Sequence, residues 1–65
     1  MTVDEVKKIR RSVGMNQSEF AEIIGVSRTT ISYWENGLKE PYPSNIKKII
    51  EFCKENKIRI TRWKL

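Results

Sequence analysis

Arg28, Thr29, Ser32 and Tyr33 are the residues of this chain whose types and spacing best suit chemistry with a partner. On a helix, positions i, i+1, i+4 and i+5 share one side. A guanidinium, two hydroxyls and a phenol donate and accept hydrogen bonds, but none is a general base at neutral pH. The chemistry they offer is recognition rather than bond-breaking. The rest of the chain agrees. It has no histidine and a single cysteine, Cys53, so a Cys/His zinc site, an internal disulfide and the commonest general base are all excluded. No glycine-rich phosphate loop and no paired-carboxylate spacing is present. No enzyme activity and no cofactor are expected.

Those four residues need a helix of their own, held by something behind it. Ile31 and Trp34 supply the inward stripe of that helix, and Phe20, Ala21 and Ile24 supply a facing stripe one short turn earlier. Ala21 is small enough to let the two helices approach closely. Gly25 lies in the turn between them, where a residue must accept positive φ without steric cost. Asn16-Gln17-Ser18-Glu19 is a capping arrangement opening the earlier helix, and Ser27 is a suitable N-cap for the later one, which is predicted over about 28–35. Asn36-Gly37 closes it. A preceding helix, predicted over about 3–13, begins at the capping box Thr2 to Glu5 and ends at Gly14. After a loop containing Pro41 and Pro43, Ser44 is the expected cap of a fourth helix with Ile46, Ile49, Ile50 and Cys53 on its apolar stripe. Cys53 reads as a small buried hydrophobe.

Charge and length narrow the partner. Thirteen Lys and Arg against eight Asp and Glu give a net charge of +5, which favours a polyanion, either nucleic acid or an acidic membrane surface. No apolar run approaches the ~20 residues that span a bilayer, and the amino terminus lacks a signal-peptide pattern. No membrane partner and a cytoplasmic location are the expectation. At 65 residues the chain is expected to form one small domain, for which a bound partner or dimerisation matters energetically.

The run from Arg10 to Gly37 resembles the Cro/repressor-type helix-turn-helix family, also called the Xre family, of phage and bacterial regulators. Gln17, Ala21, Gly25, Ile31 and Trp34 fall at that family's motif spacing, Glu35-Asn36-Gly37 matches its helix-three ending, and Pro43-Ser44 with the following stripe matches its fourth helix. The resemblance implies an all-α, small four-helix, lambda-repressor-like domain over residues 1–56, with the motif at 17–36. It implies double-stranded DNA as partner, with helix three in the major groove. Arg28, Thr29, Ser32 and Tyr33 would then contact bases, Arg28 by a bidentate pairing to guanine. Gln17, Asn36, Lys39 and Tyr42 would contact phosphate, as would the helix starts at Asn16 and Ser27. Arg10 and Glu35 would form a structural ion pair.

Alternatives stand beside several of these assignments. Asn16 and Ser27 can be caps and nothing more. Tyr33 can cover apolar surface, and Arg28 can pair with Glu19 or Glu22. Residues 57–65, KIRITRWKL, depart from the family, many of whose members continue into a fifth helix. Alternation of Ile58 and Ile60 with Arg59 and Thr61 suits a strand. It can pair with its copy in a second chain, fold back through Ile58, Ile60 or Trp63, or act as a basic arm on phosphates. The expected function is a sequence-specific transcriptional regulator, a Cro-like repressor of a phage or mobile element acting as a homodimer on a near-palindromic operator. The alternative is an antitoxin-type module that uses the same fold for autoregulation while gripping a protein partner.

Overall fold

The computed structural model describes residues 3–58. Four helices occupy that span: α1 (Val3–Ser12), α2 (Gln17–Ile24), α3 (Arg28–Glu35) and α4 (Pro43–Glu55). Among the described residues there is no strand, so the architecture is all-α as the sequence predicts. Thr2 of the first capping box and residues 59–65 of the tail, Ile60 and Trp63 included, lie outside the described residues.

The starts of α2 and α3 and the turn between them have local causes. The Asn16 side chain accepts from the Glu19 amide at 2.8 Å while Glu19 accepts from the Asn16 amide at 3.0 Å, a reciprocal capping box that opens α2. Ser27 Oγ accepts from the Thr30 amide at 3.1 Å and opens α3. Between them Gly25 adopts φ 85°, and the amides of Gly25 and Val26 both donate to the Ala21 carbonyl, at 2.8 and 2.9 Å. A side chain with a Cβ would strain that left-handed backbone, so the turn requires glycine.

The start of α4 corrects the expectation of a Ser44 cap. The N-cap is Tyr42, with no side-chain cap bond, and Pro43 is the first helical residue. Proline fixes φ near the helical value and has no N–H to satisfy, so the helix starts two residues earlier than a hydroxyl cap at Ser44 would place it.

The core sits where the four helices converge. Val6 and Ile9 enter from α1, Phe20, Ala21 and Ile24 from α2, Ile31 and Trp34 from α3, and Ile49, Phe52 and Cys53 from α4. Phe52 was not on the predicted stripe of α4. Its ring meets that of Phe20 edge-on, with centroids 5.5 Å apart and planes at 76°, and this contact turns α4 so that Ile46 and Ile50 are only half-buried. Burial pushes the Cys53 thiol up to about 11, so it stays protonated at neutral pH. Beyond α4, Lys57 takes φ 55° and the Ile58 amide donates to the Cys53 carbonyl at 2.8 Å. Ile58 then packs, partly buried, against the core.

Candidate nucleic-acid interface

The end of α3 is fastened by a charge. Glu35 is only 4 % exposed, and a buried carboxylate persists only where donors replace its water. Arg10 supplies two of them, Nε to Oε2 at 2.7 Å and Nη2 to Oε1 at 2.9 Å, and its Nη1 donates to the Met15 carbonyl at 2.9 Å. Gln17 Nε2 donates to the same Oε1 at 3.3 Å. Desolvation pulls the Glu35 carboxyl upward. The hydrogen bonds from Arg10 and Gln17, with the charges of Arg10 and Lys7, outweigh it and hold the pKa below its ordinary value. Arg10 is correspondingly raised, first by its hydrogen bond to Glu35. One forked, charge-assisted pair therefore ties the end of α1, the linker before α2, the start of α2 and the end of α3.

With its inner side fixed, α3 turns its polar side outward. Arg28 and Thr29 are exposed, Ser32 is half-buried and Tyr33 is 37 % exposed. Among the described residues no salt bridge links Arg28 to Glu19 or Glu22. Arg28 instead lines an open recess with Arg10, Asn16, Gln17 and Ser18. This recess brings one expected base-contact residue beside two expected phosphate-contact residues at the start of α2. Ser18 was not singled out from the sequence; its signal was its place in the first turn of α2, where backbone amides lack helical acceptors.

The other predicted residues fall into two groups. Asn16 and Ser27 spend their side-chain oxygens as caps, and Ser27 Oγ also lies 2.9 Å from Thr30 Oγ1. What those helix starts offer a partner is their first-turn amides. At the far end of α3, the Asn36 amide side chain donates to the Ser32 carbonyl at 2.8 Å and to Ser32 Oγ at 3.3 Å. Lys39 Nζ stands 5.3 Å from the centroid of the Tyr33 ring. Tyr42 is 76 % exposed at the N-cap of α4. Gln17, Asn36 and Lys39 are thus each engaged within the chain, a feature that spacing alone does not reveal.

Among the described residues no group of three His, Cys, Asp or Glu is placed to hold a metal ion. No helix of the described residues is long and apolar enough to cross a membrane. The profile of a protein family described as helix-turn-helix matches residues 6–57 of the chain. No curated protein and no solved structure matches it.

Proposed function

Because the chain belongs to the helix-turn-helix family of the Cro/C1 type, whose members are DNA-binding transcriptional regulators, we propose that it reads a specific duplex sequence through α3 and represses transcription there, as Cro-like proteins of phages and mobile elements do. One observation carries the reading. The side of α3 that holds Arg28, Thr29, Ser32 and Tyr33 is polar and open, while Ile31, Trp34 and Glu35 on the other side are buried. A helix of this kind fits a major groove ~12 Å wide.

In this arrangement Arg28 donates two N–H groups from one guanidinium edge to guanine O6 and N7, and Thr29, Ser32 and Tyr33 contact neighbouring base edges. The amides that open α2 and α3, beside Asn16, Gln17 and Ser27, receive phosphate oxygens, and Asn36 and Tyr42 flank the backbone beyond α3. Because Gln17 also holds Glu35, a phosphate contact there would be fixed relative to α3, so backbone and bases are read in one register. Occupancy of an operator excludes polymerase from the same duplex, which is sufficient for repression.

The active species in this proposal is a homodimer. The Cα trace of the described residues spans 25 × 22 × 19 Å, less than the ~34 Å between successive half-sites on one face of B-DNA. One copy covers one half-site. Two linked copies make the second contact intramolecular and raise affinity without new chemistry.

Selection from random duplexes, followed by stoichiometry on the selected sequence, tests the proposal. A near-palindromic consensus bound by two chains is expected. Failure to enrich any sequence, together with no saturable binding at low ionic strength, overturns it.

A further inference from the structure

We propose that Lys39 selects a base through Tyr33, as a positioning residue, in place of the phosphate contact that its loop position suggests; the inference rests on the DNA-reading function proposed for α3. Two independent observations bring these residues together. The ammonium of Lys39 lies over the Tyr33 ring, 5.3 Å from its centroid. The backbone places it there: the amides of Leu38 and Lys39 both fold back onto the Tyr33 carbonyl, at 2.9 and 3.4 Å. Gly37, at φ 72°, provides the reversal that allows this return.

The consequence is chemical. A tyrosine at the end of an open helix face is free to swing about χ1 and χ2, and a swinging ring discriminates poorly between bases. A cation held against one face removes part of that freedom and leaves the opposite face and the hydroxyl to meet a base edge. The ammonium in turn loses hydration to the ring and is less available as a point charge for phosphate. Lys39 therefore contributes to which base is chosen more than to how tightly any duplex is held.

Phosphate contact and ring positioning give different readouts. A lysine on phosphate, when removed, weakens every sequence alike and lowers the salt slope by about one. Removal of a ring-positioning lysine lowers the preference for the correct base pair at a single site position by about 2–5-fold, the size of an exposed cation–π contact, with a salt slope that changes by well under one.

The experiment measures binding of wild type, Lys39→Met, Lys39→Arg, Tyr33→Leu, Tyr33→Phe and the Lys39→Met/Tyr33→Leu and Lys39→Met/Tyr33→Phe pairs to the selected duplex and its single-base variants across salt. Helix content by circular dichroism checks each variant for folding. The expected result is lost discrimination at one position in Lys39→Met and its restoration in Lys39→Arg. The effect of Lys39→Met should persist beside Tyr33→Phe and vanish beside Tyr33→Leu. Uniform weakening by Lys39→Met, a slope lowered by about one and additive effects with Tyr33→Leu overturn the inference and leave the DNA-reading function intact. A wild type with no preferred duplex overturns both.

Discussion

The two sides of α3 are built from the same eight residues under opposite rules. On the inner side, Ile31, Trp34 and Glu35 are buried, and both carboxylate oxygens of Glu35 accept from Arg10, with Gln17 also donating to one of them. On the outer side, Arg28 and Thr29 stand open, and Ser32 and Tyr33 are engaged only at their edges by Asn36 and Lys39. The difference teaches where each property of this small domain is stored. Substitutions on the inner side change whether α3 exists, and those on the outer side change what it recognises.

The sharpest way to break that division is at Arg10. Removing a partner from a buried, forked pair strands the other charge and costs about 3–5 kcal/mol, a large share of the stability of a 65-residue domain. Arg10→Ala should therefore abolish DNA binding by unfolding the chain, seen as loss of helix signal and of the denaturant transition. If Arg10→Ala stays folded with an unchanged transition and still loses binding, Arg10 belongs to the outer surface and the division fails.

The same pair sharpens the comparison through pH. The folded chain holds Glu35 below its ordinary value of 4.5. A carboxyl depressed by folding adds stability that is complete above the ordinary value and is lost as pH falls through the folded one. Denaturant midpoints should be steady from pH 7 down to about 5 and decline below about 4.5. Glu35→Gln should start lower and show a flatter acid limb. An acid limb identical to that of wild type would remove Glu35 from the account.

The outer side predicts a smaller effect of another kind. Arg28→Ala should leave the unfolding transition within about 0.5 kcal/mol of wild type, because the residue removed is exposed and has no salt bridge among the described residues. It should cost about 1–3 kcal/mol of preference at one base pair. Equal affinity of both proteins for every duplex would show that Arg28 reads no base.

How much of this was legible in the sequence follows the same division. The inner side was readable because apolar periodicity and caps are local: Phe20, Ala21, Ile24, Ile31 and Trp34, the turn at Gly25 and the Ser27 cap all follow from neighbours in the chain. Phe52 escaped because which stripe of α4 faces inward is decided by the ring of Phe20, a contact between residues far apart in sequence. Ser44 was misplaced as a cap because proline at the first helical position meets the same need without a hydroxyl. The outer face was legible as a set of residue types. Its internal ties were not: Asn36 on Ser32, Lys39 on Tyr33 and Gln17 on Glu35 depend on side-chain geometry that spacing does not determine. Of the tail, Ile58 packs partly buried against the core, as the fold-back alternative has it, and residues 59–65 lie outside the described residues.

The smallest effect tests the division from a place that belongs to neither side. Lys57, two residues past the end of α4, adopts φ 55°, a left-handed backbone that costs a residue with a Cβ roughly 1–2 kcal/mol. Glycine takes that conformation freely but gives up more entropy on folding, so the net gain from Lys57→Gly is about 1 kcal/mol or less. For a domain of this size, 1 kcal/mol corresponds to a rise in Tm of about 4–8 °C. Lys57 is far in sequence from the residues that would read bases, so Lys57→Gly should raise Tm while retaining the selected duplex and its single-base preferences. A shift in those preferences would mean that the end of α4 reaches the reading face, and that stability and recognition are not separately stored in this chain.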